Sequence, residues 1–334
     1  MGYTYRWFAP AHPARFAPTS PHGRGEGERH GTGSYHRDLG LVIAMFVDAL
    51  FSGLTLGGMY ALIAMGLTLQ YGVARILNLA YGEMLIAAAF AAYALVTFAG
   101  IGPLAGLALI VPLGFALSYG IYRLLLTPLV RRSRTRAVLE ADSILATFGL
   151  LFVVQGLMLA IFGGNYTSYA YMNSGVEMFG TTIAANRLLV FFVAVILGGG
   201  FYLVLTRTRI GTALRAVAVD PVAAGLVAID VAWAAGLAFA LGGALAATGG
   251  VLASMFLTFS ANIGVVFTMK ALIVVIMGGV GNVLGALIAG LLLGLTEAFV
   301  ATFGDPGLTL AATYAIFLLV LLFKPEGLFG RAAR

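Results

Sequence analysis

The sequence of 334 residues contains no cysteine, and its four histidines all lie in the first 36 residues. Disulfide bonds, thiolate catalysis and cysteine redox chemistry are therefore excluded. The remaining chain has neither histidine nor cysteine, which argues against zinc, copper or iron sites and against histidine-based catalysis. We expect no metal site and no cofactor.

Charge is equally scarce. Charged residues make up 10% of the chain and hydrophobic residues 61%, with a mean hydropathy of +1.00 and a formal net charge of +6. A soluble domain has about 25% charged residues. The composition therefore excludes an ordinary soluble enzyme and a disordered chain, and it indicates a polytopic membrane protein.

The familiar motifs of energy conversion and catalysis are also missing. The two lysines are Lys270, followed by Ala, and Lys324, followed by Pro, so no GxxxxGK[ST] phosphate loop exists. The sequence has no GxSxG elbow, HExxH helix, TVGYG filter or arginine ladder. We expect a transport protein that is not an enzyme, that does not bind ATP itself and that has no nucleic-acid partner.

Apolar runs predict an all-α membrane protein with about eight (eight or nine) transmembrane helices. Two of the runs are short, 84–99 and 265–280, and the positive-inside rule favours eight spans with a broken or re-entrant segment near 76–99. The candidate spans are 48–70, 84–99, 101–126, 143–164, 187–205, 231–254, 265–280, 281–303 and 308–323.

The predicted membrane domain covers residues 39–330. Residues 1–38 are rich in Gly, Pro, His and Arg and have no apolar periodicity, which predicts a disordered polar tail or a start site placed too early. Residues 331–334 form a short C-terminal tail.

Three basic segments predict the orientation. Four arginines lie in 127–136, three in 206–230, and the C-terminus carries Lys324, Arg331 and Arg334. By the positive-inside rule all three segments, the C-terminus included, are expected in the cytoplasm, with the loop 163–186 on the opposite side.

A polar interruption follows the first apolar helix, at Asn78, Tyr81 and Glu83. Helices break inside membranes where the backbone lines a cavity or is packed within protein. The residues therefore predict either a structural cap and kink or a polar lining of a translocation path.

Lys270 and Glu297 are charges within apolar runs. A charge at the middle of a bilayer costs at least about 2.5–3.5 kcal/mol on insertion scales. The two residues are expected either to pair or snorkel, or to belong to the path.

Residues 206–230 form a basic loop with an amphipathic stretch. Asp220 followed by Pro221 predicts the start of a short helix that contains Ala224, and Arg215 and Asp230 lie before and after it. The loop is either a solvated juxtamembrane segment or a docking helix that inserts into a partner. Arg215 is expected to pair with an acidic partner residue or with membrane lipid headgroups.

Five stretches of the chain form a recognisable set. They are GLTLGGMYALIAMGLTL (53–69), NLAYGEM (78–84), GTALRAVAVDPVAAGLVAID (211–230), MKALIVVIMGGVGNVLGALIAG (269–290) and KPEGLFGR (324–331). Together they resemble the inner-membrane permease of the branched-chain amino acid ABC importer family, the LivH-type subunit. The likeness runs from about Phe46 to Gly330. The family usually has Gly before the Ile-Asp of the docking loop, where this chain has Ala228, and the N-terminal tail has no counterpart.

The resemblance implies a multi-pass subunit of an ATP-driven importer in the bacterial inner membrane. The subunit would form a path for branched-chain or related small amino acids, working with a LivM-like second permease, two cytoplasmic ATP-binding subunits and a periplasmic substrate-binding protein. Related systems import urea, other amides or aromatic acids, which stay alternatives. A self-sufficient secondary transporter or channel would need ionisable residues within the membrane, and few exist, namely Asp48, Glu83, Lys270 and Glu297.

Overall fold

The computed structural model describes residues 31–133, 135–178 and 181–330, and this part of the chain is mainly helical. Within it, eight helical stretches are long and apolar enough to cross a membrane. They are Val42–Ala74, Tyr81–Ala99, Pro103–Arg132, Ala137–Phe162, Ala185–Arg207, Val231–Ser254, Val283–Phe303 and Pro306–Phe323. The predicted all-α polytopic architecture with eight spans is confirmed.

Twelve α-helices are formed by the described residues. Two π-helical turns, Gln70–Ala74 and Tyr122–Leu126, continue the first and third of them, and the short turn Pro306–Leu308 precedes the last. The α-helices are α1 (Gly31–Leu69), α2 (Tyr81–Ala99), α3 (Pro103–Ile121), α4 (Thr127–Arg132), α5 (Arg136–Phe162), α6 (Ala185–Arg207), α7 (Arg209–Val219), α8 (Pro221–Leu226), α9 (Val231–Ser254), α10 (Gly264–Gly278), α11 (Val283–Phe303) and α12 (Thr309–Phe323).

The helix ends follow from local chemistry. The side chains of Thr135, Thr208 and Asn282 accept hydrogen bonds from backbone N–H groups in the first turns of α5, α7 and α11. Such caps replace partners that the first N–H groups of a helix lack. Gly100, in the left-handed region at φ 65°, ends α2.

Helix α9 lies at the centre of the bundle, packed against α1, α2 and α3 and almost entirely buried. Helices α1 and α11 form the other major pair, and here backbones touch. A Cβ added to Gly294 would overlap the backbone of Gly57, and one added to Gly57 would lie 2.8 Å from the Cα of Leu291. Small residues allow this approach in a membrane, where no hydrophobic force drives helices together.

The sequence favoured 76–99 as the segment that does not fully span the membrane, but the short segment in the structure is α10. The chain leaves helical geometry at Arg75, which has φ 57°, and regains it at Tyr81, so the predicted break exists. The helix that follows the break is nevertheless 19 residues long and counts among the eight spans. The short apolar helix is α10, with 15 residues, or about 22 Å at 1.5 Å per residue, and a non-helical stretch at about 256–263 precedes it.

Two further details depart from the sequence expectations. Helix α1 begins at Gly31, so residues 31–38 of the predicted tail have helical backbone; residues 1–30 and 331–334 lie outside the described part. The loop 163–186 contains an antiparallel pair of strands that was not predicted, β1 (Gly175–Met178) and β2 (Thr181–Ala184).

The described parts of the three basic segments lie at one end of the bundle, here called the basic end. Val130, in the first of them, packs against a cluster that contains Ala235 at the start of α9. Leu214 in α7 packs with Val73 and with the same part of α9. Phe329, which follows α12 near the C-terminus, donates its backbone N–H to the carbonyl of Gly278, where α10 ends.

Ala228, where the resemblance described above implies Gly, has φ 62°. This is the left-handed region that glycine adopts freely and that costs other residues roughly 1–2 kcal/mol. The turn between α8 and α9 thus explains why glycine suits this position.

Candidate functional site

The break after α1 is held by buried amide side chains. Gln70 Nε2 donates to the Phe239 carbonyl at 2.9 Å, and Asn78 Nδ2 donates to Gln70 Oε1 at 3.2 Å. Asn78 Oδ1 in turn accepts the backbone N–H of Ala80 at 3.1 Å. Asn78 therefore ties the non-helical backbone to α9 through Gln70, a residue that the sequence analysis did not single out.

Tyr81 and Glu83 begin α2 deep inside the protein. The Tyr81 hydroxyl lies 2.9 Å from the carbonyl oxygen of Ile63 and 3.0 Å from that of Gly242. The Glu83 side chain is fully buried and faces the first turn of α10 at Gly264. The N-terminal end of a helix favours a negative charge, because its backbone N–H groups point toward it.

Helices α2 and α10 meet at their N-terminal ends. Thr268 Oγ1 accepts the backbone N–H of Gly82 at 2.8 Å and lies 3.2 Å from the carbonyl oxygen of Leu79. A Cβ on Gly82 would overlap the carbonyl oxygen of Gly264. The side chains of Asn78, Tyr81 and Glu83 are therefore packed inside this chain, which favours the structural cap and kink over a lining that is open in this conformation.

Lys270 and Glu297 pair with each other. Lys270 Nζ lies 2.8 Å from Glu297 Oε2, and the side chains are 17% and 7% exposed. Tyr60 donates to the same carboxylate oxygen at 2.9 Å, and Thr313 donates to Oε1 at 2.7 Å. The ammonium also donates to the Tyr60 hydroxyl at 2.8 Å. The network joins α1, α10, α11 and α12, and it satisfies both carboxylate oxygens.

The short helix predicted after Asp220 is observed as α8, at the basic end. Asp220 Oδ1 accepts the N–H groups of Val222 and Ala223, at 2.9 and 3.1 Å, and so caps α8. Asp230 caps α9 in the same way. Arg215 is exposed on α7 and donates to the Thr206 carbonyl at 3.3 Å.

Ala224 was expected on the docking surface, and the structure shows that it is buried. Its side chain is 3% exposed and packs with Leu214, Val217 and Ala234 of the same chain, so it faces the bundle and offers no surface to a partner. The outward face of this segment is apolar and carries Val219 (72% exposed), Val222 (75%), Leu226 (85%) and Val227 (70%).

The loop 163–174 covers the opposite end. The backbone of Thr167 pairs with that of Phe259, and the Tyr169 hydroxyl lies 2.8 Å from Ser254 Oγ. Burial raises the pKa of Tyr169, so the phenol stays protonated at neutral pH. The loop thus fixes the non-helical stretch that leads into α10.

One polar pair was not predicted from the sequence. Gln155 Nε2 on α5 donates to Asn262 Oδ1, just before α10, at 3.1 Å, and the bond is exposed. Gln155 is the one amide within the apolar run of α5, and that isolation was the signal available in the sequence.

Comparison with known proteins agrees with this architecture. Residues 49–323 match the family model described as a branched-chain amino acid transport system / permease component. The chain belongs to this family. The permease is thus a membrane-embedded transport component and not an enzyme.

The permease has several similar relatives. It is 31% identical over 306 residues to the high-affinity branched-chain amino acid transport system permease protein BraD of Pseudomonas aeruginosa, covering 86% of this chain and 96% of the relative. It is 29% identical over 301 residues to LivH of Salmonella typhimurium, again covering 86% and 96%. A probable LivH of Methanocaldococcus jannaschii is 27% identical over 304 residues, covering 88% and 94%. No solved structure matches the chain.

Proposed function

We propose that this permease is one of two membrane subunits of an ABC importer and forms part of the path for branched-chain or related small amino acids. The observation that carries the proposal is the family match, which spans nearly all of the membrane domain. A LivM-like permease, two ATP-binding subunits and a periplasmic binding protein complete the importer. The membrane is the bacterial inner membrane, and the basic end, with the C-terminus, faces the cytoplasm.

The need for a docking surface follows from the sequence. A chain without a phosphate loop depends on a separate ATPase, and ATP can move the bundle only through physical contact. The outward face of α7 and α8 supports this role, since four large apolar side chains there are 70–85% exposed at the basic end. We propose that this face, Val219, Val222, Leu226 and Val227, is the contact with the ATPase, with Asp220 and Asp230 holding the segment and Arg215 at its edge.

Substitution at Leu226 tests the docking surface. Leu226→Asp introduces a charge at the exposed centre of an apolar contact and should prevent the ATPase from co-purifying with the permease, while the bundle still folds. Val176→Asp, an exposed site in β1 at the other end, is the matched control and should retain the ATPase. Wild-type retention by Leu226→Asp would exclude this face.

Reconstitution tests the function as a whole. Proteoliposomes with both permeases, the ATPases and the binding protein should take up leucine, isoleucine or valine only with ATP, and this permease alone should be inactive. Uptake by the single chain would favour a secondary transporter or channel. Uptake of urea, other amides or aromatic acids in place of branched-chain amino acids would reassign the substrate.

A further inference from the structure

The exposed pair of Gln155 and Asn262 lies where lipid alone cannot satisfy it. In α5 the last charged residue before Phe162 is Asp142, so 143–162 is an uncharged stretch of roughly 30 Å, the thickness of a bilayer's hydrocarbon core. Gln155 lies about 10 Å from the end of that stretch at Phe162 and about 18 Å from its start. The pair is therefore within the apolar layer.

Most of the hydrogen-bonding capacity of the pair is unused. A carboxamide offers two N–H donors and a carbonyl acceptor, and in the described part of the chain the single bond of 3.1 Å uses one donor of Gln155 and the carbonyl of Asn262. Both N–H donors of Asn262, one donor of Gln155 and the carbonyl of Gln155 have no protein partner there. Amide groups exposed in hydrocarbon cost several kcal/mol, so this face requires water, a ligand or a polar partner.

The backbone at this point leads to the same conclusion. Asn262 lies two residues before α10, near the end of the non-helical stretch. Irregular backbone at membrane depth is tolerated where it is buried in protein or lines a water-filled cavity. Phe259, Ser260 and Ala261 of this stretch are buried in protein, whereas Asn262 is exposed, so the cavity is the alternative that fits Asn262.

An apolar stripe continues from the pair along α10. Val266, Met269 and Ile276 are 46%, 40% and 37% exposed and follow Asn262 at helical spacing, on one face of a helix that is otherwise largely buried. The surface thus has a polar end with donors and an acceptor, and an apolar side that includes an adaptable methionine.

We propose that Gln155 and Asn262 contact the substrate inside the translocation path and hold the charged head of a zwitterionic amino acid with an apolar side chain. The free N–H donors suit the substrate carboxylate, the Gln155 carbonyl suits its ammonium group, and the stripe of α10 suits its side chain. Neutral amides bind both charges without trapping either, as a passing substrate requires. The assignment rests on the proposed function and names the residues that serve it.

Thiol labelling tests whether the pair faces water. The chain has no native cysteine, so Asn262→Cys gives a single site when labelling is read on this subunit after the assembled importer is separated. A charged, membrane-impermeant reagent should label it, and saturating leucine with the binding protein should slow the reaction. Ile196→Cys, 68% exposed midway along α6, is the control and should stay unlabelled. An unlabelled Asn262→Cys would overturn the proposal.

Uptake measurements test whether the pair contacts substrate. Gln155→Met and Asn262→Leu keep the size of each side chain and remove its hydrogen bonds, and each should reduce leucine uptake by about tenfold. The amount of assembled importer and its basal ATP hydrolysis should stay at the wild-type level. Val153→Met, 58% exposed on the same helix, should leave uptake unchanged.

The outcomes separate the competing explanations. Loss of assembly in proportion to uptake would mean that the pair bonds to the second permease, and unchanged uptake would mean that it has no part in transport; either result overturns the proposal. A wild-type importer that does not transport branched-chain amino acids would refute the proposed function instead. The labelling result would still decide whether Asn262 faces water, because it does not depend on which substrate is carried.

Discussion

At the scale of single residues, the charges of Lys270 and Glu297 compensate each other inside the bundle. The Glu297 carboxylate accepts from Lys270 and Tyr60 at one oxygen and from Thr313 at the other, within 2.7–2.9 Å. A buried ion pair of this kind contributes little net stability compared with apolar residues, but removing one partner leaves an uncompensated charge. The network therefore specifies how α10, α11 and α12 fit together more than it strengthens them.

Single and double substitutions distinguish these effects. Lys270→Met should lower the free energy of unfolding by about 3 kcal/mol, because it leaves the Glu297 carboxylate buried without its cation. The double variant Lys270→Met with Glu297→Leu should recover most of that loss. Denaturant unfolding of the detergent-solubilised permease measures both. A double variant that loses as much as either single variant would show that the pair itself supplies the stability, and a loss equal to the sum of the two single losses would show that the two residues act independently.

At the scale of elements, α2 and α10 are in close contact at their N-terminal ends. The Glu83 carboxylate occupies the space that a side chain on Gly264 would need, and Thr268 bonds to the backbone of Gly82. Neither helix can approach the other in this way with a larger residue at the contact. The junction fixes where the short helix α10 begins, and with it the position of Asn262.

Gly264→Ala should therefore destabilise the permease by about 1–3 kcal/mol, the usual cost of overpacking a buried contact. Gly199→Ala is the matched control, since a Cβ there meets nothing within 4 Å; alanine in an α6 turn should be neutral or stabilise by up to about 1 kcal/mol. Thermal unfolding of the two purified variants makes the comparison. Equal melting temperatures would show that the α2–α10 contact yields to a methyl group.

At the scale of the whole molecule, positive charge is gathered at one end of the bundle. Arg131 and Arg132, the arginines of α7, and Lys324 come from distant parts of the sequence but share the basic end. The positive-inside rule predicts that this end is cytoplasmic. Proposed ATPase docking on α8 requires the same orientation.

Cysteine labelling on intact cells tests the orientation. Ala137→Cys, exposed at the start of α5, should resist an impermeant thiol reagent until the cells are opened. Ser174→Cys, exposed in the loop before β1, should react from outside, once the reagent has passed the outer membrane. The reverse pattern would place the basic end outside the cytoplasm and remove the basis for docking an ATPase on α8.

The sequence determined those features that depend on composition and on neighbouring residues. Low charge and long apolar runs suffice to predict membrane spans. Asp220 and Asp230 are predictable caps, because each bonds to N–H groups two and three residues ahead.

The tertiary structure decided which face each helix buries. Helix α8, Pro221–Leu226, has no polar side chain on any face, so hydropathy could not show that Ala224 faces inward while Leu226, two residues later, is 85% exposed. Nor could spacing reveal partners such as Tyr60 and Glu297, which are 237 residues apart, or Gln155 and Asn262, 107 apart. Such contacts arise only when helices pack, because packing and not local sequence brings their side chains within reach.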